Sequence, residues 1–264
     1  MAARQFRIIA FLAAVSFTGA YASAAIFDRD DRVLVDRHKI SPYSAIGIVY
    51  GSKKATFATG FLVSECHVLT VQHVFSEMQS GLGERLKFRG ELAGGFLPSR
   101  NRSQGTIIAS GGFHRNHLAA GGHEGRSRDW ILIRLDKCLG ATLGFAELVP
   151  RTASEMFRGD DSTRDVQSAG VPGDVRRLVI DPSCSIRGGT SREFLHDCAA
   201  LPGNSGSPIF EKVEPGDRRL RVVGMTTSAD HRNEPMPFHF AVSNRATAVS
   251  FFLPMFSRAI VRPR

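Results

Sequence analysis

Short apolar segments separated by turn residues run along most of this chain and limit the folds open to it. The segments are four to six residues long and lie between turn signals such as Pro172-Gly173-Asp174 and Pro215-Gly216-Asp217, which is typical of β-strands. No long amphipathic helix comes before residues 244–253, which predict a C-terminal helix. We expect an all-β barrel or sandwich rather than a parallel α/β architecture. The predicted strands are residues 45–50, 59–63, 67–71, 130–135, 177–180, 207–210, 220–225 and 238–242.

Length and composition indicate a globular protein of one large or two small domains. The chain has 264 residues, of which 42% are hydrophobic and 22% charged, so it can bury a core and is not disordered throughout. No sequence repeat or low-complexity block occurs. Residues 152–165 are the predicted boundary between two halves.

The first 24 residues have the pattern of a secretory signal peptide. Arg4 and Arg7 precede an uncharged stretch from residue 8 to residue 20, and the triplet Ala22-Ser23-Ala24 suits cleavage after Ala24. The stretch is shorter than the roughly 20 residues that a membrane-spanning helix needs, and a retained anchor is the alternative. We therefore expect a secreted or periplasmic protein. Residues 25–40 would form an N-terminal segment of the mature chain, and the alternative is that they are a short pro-segment that is removed.

The positive charge of the chain does not indicate nucleic-acid binding. Lys and Arg number 34 against 25 Asp and Glu, a formal charge of +9 that falls to +7 without the two arginines of the signal peptide. The basic residues are scattered among acidic ones, and no aromatic-interleaved basic motif occurs. We expect a solvated basic surface with at most a weak preference for acidic polymers, and no membrane contact once the signal peptide is removed.

Four cysteines in an exported chain predict two disulfides, because thiols meet an oxidising environment outside the cytoplasm. Three connectivities are possible. Cys184 and Cys198 enclose a loop of 13 residues, which favours a local bridge and leaves Cys66 to pair with Cys138. Free buried thiols or a metal site are the alternatives, although no C-x2-C spacing occurs in the chain.

The strongest local motif is a serine among glycines, in Pro202-Gly203-Asn204-Ser205-Gly206-Ser207-Pro208. Glycines allow the backbone to turn so that the amides of Gly203 and Ser205 point at one spot, and they leave room for an incoming carbonyl. The motif predicts an oxyanion hole beside a nucleophilic Ser205. An ordinary Gly/Ser/Pro turn is the alternative.

A serine nucleophile needs a base, and His73 is the best candidate among the nine histidines. It ends a segment of two predicted strands, residues 60–73, whereas His67 lies nearer the hairpin connection. Asp129 directly precedes the apolar run 130–133, and a carboxylate that leads into a buried strand needs a hydrogen-bonding partner. Asp129 is therefore the candidate that orients His73, with a solvated carboxylate as the alternative.

The order His73, Asp129, Ser205 resembles that of the chymotrypsin-like serine peptidases. Residues 30–32, residues 41–47 and the Asn-Ser-Gly-Ser-Pro version of the serine motif are most similar to the bacterial glutamyl-endopeptidase-like branch. The resemblance covers about residues 41–255. The motifs that carry it are Thr70-Val71-Gln72-His73, Asp129-Trp130-Ile131-Leu132 and Gly203-Asn204-Ser205-Gly206-Ser207-Pro208.

The resemblance implies two antiparallel six-stranded β-barrels with the active site in the cleft between them. The first barrel would span about residues 41–150 and the second about 166–243, followed by the helix at 244–253, and each disulfide would lie within one barrel. By analogy, Ser205 attacks the scissile carbonyl, His73 takes and returns the proton, and Asp129 orients His73. The amides of Gly203 and Ser205 stabilise the oxyanion.

The sequence departs from the family pattern at two places. Val71-Gln72 replaces the usual pair of small residues before the histidine. Asn204 stands where the mammalian digestive enzymes carry the Asp that pairs with a freshly cut N-terminus. We therefore do not expect that activation salt bridge.

The resemblance also identifies candidate residues of the specificity pocket. Ala199, six residues before Ser205, lies at the position of the pocket base, so the acid that binds Lys or Arg is missing. Thr226 takes the place of the histidine of glutamyl endopeptidases, and His239 is a further candidate from the neighbouring strand. We expect a small or medium uncharged residue before the cleaved bond.

These observations predict a secreted serine endopeptidase that acts as a monomer on protein or peptide substrates and needs no cofactor. A catalytically silent binding protein with the peptidase fold and a basic polymer-binding module are the alternatives. A further alternative is a metal site in a Gly-rich loop. We do not expect a metal there, because nothing in the loop sets the geometry of the ligands. Its ligands would be His114, His117, His123 and Glu124.

Overall fold

The computed structural model describes residues 25–35, 42–51, 56–78, 82–90, 101–113, 123–157, 165–228, 235–240 and 242–261. The predicted signal peptide, residues 36–40 of the N-terminal segment, and the candidate metal ligands His114 and His117 lie outside these residues.

Six antiparallel strands form the first barrel. They are β2 (Ile46–Tyr50), β3 (Phe57–Leu62), β4 (His67–Thr70), β5 (Arg85–Gly90), β6 (Arg102–Ser110) and β7 (Ile131–Leu135). The barrel closes in the order β2-β3-β4-β7-β6-β5. Inward-facing apolar residues alternate with exposed ones where the barrel wall faces solvent, as in β5, where Leu86 and Phe88 are buried between exposed or half-buried neighbours.

Six antiparallel strands also form the second barrel. They are β9 (Asp165–Gly170), β10 (Val179–Gly189), β11 (Glu193–His196), β12 (Pro208–Glu211), β13 (Arg221–Ser228) and β14 (Asn244–Ala248). The barrel closes because β9 pairs with both β10 and β12. Two short strands join it from outside, since β1 (Val33–Leu34) pairs with β10 and β8 (Glu147–Leu148) runs parallel to β13.

Helices are short except at the C-terminus. Two 3-10 helices, Tyr43–Ala45 and His73–Met78, lie beside the first barrel. Within the described residues, the α-helices are α1 (His123–Ser127), α2 (Gly140–Leu143), α3 (Ala153–Met156) and α4 (Val249–Val261).

One continuous apolar cluster joins the two barrels. Phe61 and Trp130 of the first half are buried in the same cluster as Phe210 and Met225 of the second. Phe252 of α4 packs against Trp130, with ring centroids 6.3 Å apart. The C-terminal helix therefore covers the first half of the chain although it follows the second barrel.

The prediction of an all-β fold with two six-stranded barrels is confirmed. The predicted start of the C-terminal helix at residue 244 is wrong, because Asn244–Ala248 pairs with both β11 and β13 and closes the second barrel. The helix begins at Val249, and the second barrel extends to Ala248 rather than to residue 243. Of the predicted strand 238–242, the described residues form only an isolated bridge between His239 and Val242.

The structure contains two disulfides, Cys66–Cys138 and Cys184–Cys198. The first connects the turn before β4 to the segment after β7, and the second connects β10 to the segment before the serine motif. Each bridge thus lies within one half of the chain, as the resemblance implied.

Candidate active site

His73 and Asp129 meet because His73 comes just after β4, Asp129 comes just before β7, and these two strands are paired. In the antiparallel pair β4–β7, Thr70 lies opposite Ile131, so the residues just after β4 and just before β7 share one end of the barrel. There the Asp129 Oδ2 atom lies 2.6 Å from the His73 Nδ1 atom. The backbone amides of Gln72 and His73 donate to Asp129 Oδ1 over 2.9 and 2.8 Å.

These contacts fix both the orientation and the tautomer of the histidine. The Asp129 carboxylate is nearly inaccessible, with 4% of its side chain exposed, whereas 23% of the His73 side chain is exposed. A carboxylate that accepts a hydrogen bond from Nδ1–H leaves the lone pair of the neutral ring on Nε2. His73 is thereby held as a base whose partly exposed ring can take a proton from a neighbouring group.

Two glycines allow the sharp course of the serine loop, which we define as residues 202–207. Gly203 has φ +102° and Gly206 has φ +88°, conformations that side chains rarely adopt. A Cβ atom at Gly203 would lie 2.6 Å from the carbonyl oxygen of Val171, and one at Gly206 would overlap the Thr59 carbonyl oxygen. The loop backbone therefore passes too close to its neighbours for any residue with a side chain at either position.

Four successive carbonyl groups of the serine loop accept hydrogen bonds from fixed donors. Gly173 N–H donates to the Pro202 oxygen over 2.7 Å, and Ser207 N–H donates to the Asn204 oxygen over 2.8 Å. Thr59 N–H donates to the oxygens of both Gly203 and Ser205, over 3.0 and 2.9 Å.

The fixed carbonyls also determine where the candidate oxyanion donors point. In a trans peptide the N–H is directed opposite to the preceding C=O. The Pro202 and Asn204 carbonyls therefore set the directions of the Gly203 and Ser205 amides. Among the described residues, no acceptor is bound to either of these two N–H groups. The loop thus presents two amide donors that are available to a ligand oxygen.

The serine loop contacts the first barrel next to the strand that leads to His73. Gly206 lies against Thr59 and against the hydroxyl of Thr70, which is three residues before His73. Ser205 and His73 are both partly exposed, whereas Asn204 is buried. The structure thus brings the His73–Asp129 pair and the Ser205 loop to the same border between the barrels.

The Asn204 side chain forms hydrogen bonds with residues close to it in the sequence. Its Oδ1 atom accepts a hydrogen bond from Leu201 N–H over 3.1 Å, and its Nδ2 group donates to Ser207 Oγ over 3.4 Å. The side chain therefore braces the turn around Ser205. The alternative base His67 lies in a different environment, at the start of β4, where its Nδ1 atom is 2.8 Å from Ser64 Oγ.

Two of the three candidate pocket residues are buried beside the serine loop. Thr226 exchanges backbone hydrogen bonds with it, accepting from Gly206 N–H over 2.8 Å and donating to the Ser207 oxygen over 2.9 Å. Ala199 lies in the segment between β11 and the loop and is 6% exposed. His239 differs from both, because it is exposed in the turn before β14.

A buried carboxylate beneath Ala199 was missed by sequence reasoning. Ala199 N–H donates to Asp181 Oδ2 over 2.7 Å, and Ser183 N–H donates to Asp181 Oδ1 over 3.3 Å. Burial raises the pKa of Asp181 to about 6, against the two backbone hydrogen bonds that lower it. Asp181 follows an apolar pair and precedes Pro182, so nothing in the local sequence separates it from a residue of a surface turn.

The N-terminal segment also packs against the approach to the serine loop. Ala25 is fully buried and exchanges backbone hydrogen bonds with Ala200 over 2.8 and 3.0 Å. The Asn244 Nδ2 group donates to the carbonyl oxygens of Ala25 and Cys198 over 3.0 and 2.6 Å. His196 lies opposite Asn244 on the paired strand and is fully buried, and this burial lowers its pKa to about 3.

A metal-binding cluster and a membrane-spanning helix are both absent from the described part of the chain. There, His, Cys, Asp and Glu side chains form no group of three or more that could hold a metal ion. No helix within the same residues is long and apolar enough to cross a membrane.

Comparisons with known proteins agree with this geometry at the level of the fold. No family model and no curated protein sequence matches the chain. A solved structure of a Glu endopeptidase in complex with MPD aligns over 90% of this chain and 100% of its own, with 15% identity and a TM-score of 0.65. A serine endoprotease from Yersinia pestis aligns over 88% of this chain and 69% of its own, with 15% identity and a TM-score of 0.53. Together with the two closed barrels, these similarities show that the chain has the chymotrypsin-like serine peptidase fold.

Proposed function

We propose that this protein is a serine-type endopeptidase with His73, Asp129 and Ser205 as its catalytic residues. The observation that carries the proposal is the hydrogen-bonded pair of His73 and Asp129 at the barrel border that the Ser205 loop also reaches. The fold of the two endopeptidases that align with the chain supports the same class of reaction.

In the proposed acylation step, Ser205 Oγ attacks the scissile carbonyl carbon while His73 Nε2 takes the hydroxyl proton. Asp129 stabilises the imidazolium that forms, and it stays ionised throughout. The carbonyl oxygen becomes an oxyanion that the amides of Gly203 and Ser205 bind. When the C–N bond breaks, His73 returns the proton to the departing amine, which leaves an acyl group on Ser205.

In the proposed deacylation step, His73 takes a proton from a water molecule as that water attacks the acyl carbon. The second oxyanion accepts hydrogen bonds from the same two amides. When it collapses, the bond between the acyl carbon and Ser205 Oγ breaks, and Ser205 Oγ takes back a proton from His73. Each amide donor is expected to contribute strongly, because loss of one such donor lowers kcat about 10²- to 10³-fold. The fixed carbonyls of residues 202–205 keep these donors oriented before substrate arrives.

We propose a preference for a small or medium uncharged residue before the cleaved bond. Ala199 and Thr226 are short, buried side chains on the two segments that adjoin the serine loop. Asp181 lies beneath Ala199, but both its carboxylate oxygens already accept backbone hydrogen bonds. The carboxylate is therefore engaged in holding the Ala199 segment, which argues against a role in binding Lys or Arg.

We further propose that the protein is exported and acts as a monomer on protein or peptide substrates. Two disulfides within one chain suit an oxidising compartment. The expected signal peptide points to the same compartment.

Digestion of a reduced and alkylated protein, followed by mass spectrometry of the products, tests the proposed activity and preference together. The matched control is Ser205→Ala, purified in the same way. We expect internal cleavages after small or medium uncharged residues that are absent with the variant. Equal cleavage by S205A, or no cleavage by the folded wild-type protein with both disulfides formed, would contradict the proposal.

A further inference from the structure

Thr59 belongs to the first barrel, but its hydroxyl and its backbone N–H bind the second half of the chain. It lies on β3 and is fully buried. Its hydroxyl donates to the Gly203 carbonyl oxygen over 2.7 Å and accepts from Val171 N–H over 3.0 Å. Its backbone N–H reaches the Gly203 and Ser205 oxygens, as described above.

The hydroxyl of Thr59 therefore acts at a particular peptide of the serine loop. The Gly203 carbonyl receives two hydrogen bonds, both from Thr59, and this carbonyl belongs to the peptide between the two candidate oxyanion amides. Gly203 has φ +102°, and a glycine has no side chain to resist rotation about its backbone bonds. Hydrogen bonds must supply the restraint that a side chain would otherwise give.

Thr59 is itself held in place from the barrel side. Its carbonyl oxygen accepts a hydrogen bond from the Thr70 hydroxyl over 2.6 Å. Thr70 is also fully buried and lies on β4, the strand that leads to His73. A chain of contacts thus connects the strand before the candidate base to the peptide between the candidate oxyanion donors.

We propose that Thr59 is a positioning residue, whose hydroxyl fixes the Gly203 carbonyl so that the Gly203 and Ser205 amides converge on the oxyanion. The inference rests on the proposed peptidase function and assigns to the first barrel a part in shaping the oxyanion hole. Thr59 itself touches neither substrate nor reacting atoms.

The test compares Thr59→Val, Thr59→Ser and a control, Ser103→Ala. Valine keeps the shape of threonine and puts a methyl group in place of the hydroxyl, whereas serine keeps the hydroxyl. Ser103 is also buried, on β6, and its hydroxyl donates to the Gln104 carbonyl oxygen over 2.8 Å and accepts from Lys137 N–H over 2.9 Å, beyond the end of β7 opposite Asp129. Thermal unfolding of each variant reports any general loss of stability.

We expect T59V to lower kcat roughly 10- to 100-fold with KM changed less than about twofold, because misplaced donors weaken transition-state binding more than substrate binding. T59S should recover kcat to within about threefold, and S103A should match the wild type. Equal kcat for T59V and S103A, or equal loss in T59S and T59V, would overturn the inference. If T59V fails to fold, Thr59→Ala removes the same hydroxyl without crowding and carries the same expectation.

Amide hydrogen exchange of the loop peptide gives a readout that does not depend on activity. In T59V, exchange at the hydrogen-bonded amides of residues 204, 206 and 207 should be at least about tenfold faster than in the wild type, and in T59S it should be unchanged. A wild-type protein without peptidase activity would refute the proposed function, and the exchange rates would still decide the role of Thr59. Unchanged exchange in T59V would refute that role even in an active enzyme.

Discussion

Replacement of Asp129 by Asn changes one atom at the candidate active site and should nearly abolish turnover. The geometry determines how the amide will lie. Asp129 Oδ1 accepts from the amides of Gln72 and His73, so the carbonyl oxygen of an Asn must occupy that position. In the opposite orientation its NH₂ group would face two N–H donors, with the loss of two hydrogen bonds worth about 1 kcal/mol each.

The NH₂ group of the variant must then face the His73 Nδ1 atom. That atom now has to accept a hydrogen bond, which moves the ring proton to Nε2 and leaves Nε2 unable to take the proton of Ser205. The wrong tautomer in a Ser-His-Asp triad lowers kcat about 10⁴-fold. At about 1.36 kcal/mol for each factor of ten, this is about 5.4 kcal/mol of transition-state free energy.

The assay is kcat on a synthetic peptide that spans a cleavage site found in the digestion, with Asp136→Asn as the matched control. Asp136 directly follows β7, at the opposite end from Asp129, and its exposed side chain pairs with Arg85. We expect D136N to retain the wild-type kcat and D129N to lose about four orders of magnitude with little change in thermal stability. A kcat for D129N within tenfold of the wild type would refute the assigned role of Asp129.

Two further predictions concern stability. Removing the Cys66–Cys138 bridge should lower the free energy of unfolding by about 4 kcal/mol and removing Cys184–Cys198 by about 3 kcal/mol, because the sequence separations are 72 and 14 residues. Urea unfolding of the two double Cys→Ala variants checks which bridge contributes more, and a larger loss from removing Cys184–Cys198 would contradict the prediction. His196, with a folded pKa of about 3 against an ordinary 6.5, contributes stability that is lost as pH falls below 6.5, about 3 kcal/mol by pH 4. Asp181, with a pKa raised from 3.8 to about 6, acts in the opposite direction, since its contribution is lost as pH rises from 4 to 6. In urea unfolding from pH 4 to pH 7, stability should therefore rise with pH less steeply than in the wild type for His196→Gln and more steeply for Asp181→Asn. Slopes equal to the wild type in both variants would contradict these assignments.

The candidate site was predictable where its signals are local in the sequence. The serine motif contains its own glycines, and His73 and Asp129 each adjoin an apolar strand. The structure then explains the pairing through the register of β4 and β7, which no sequence pattern fixed in advance. Short apolar segments between turn residues likewise sufficed to predict the all-β class.

Contacts between distant parts of the chain account for what sequence reasoning missed. Thr59 binds Gly203 across 144 residues, and Asn244 binds Ala25 across 219. Asn244–Ala248 could be read as the first turn of a helix because it continues into one, and only its pairing with two strands makes it β14. Whether such a segment forms a strand or a helix depends on closure of the barrel, and closure is a property of the whole sheet.

Intact-mass analysis after treatment with a fluorophosphonate probe tests the central claim most directly, because capture requires an activated serine and no knowledge of the substrate. The wild-type protein, Ser205→Ala and His73→Ala would be treated side by side, each with both disulfides formed. The account predicts one adduct on the wild type, none on S205A, and labelling of H73A that is slower by several orders of magnitude. An adduct that persists in S205A, or no adduct on the folded wild-type protein, would contradict it.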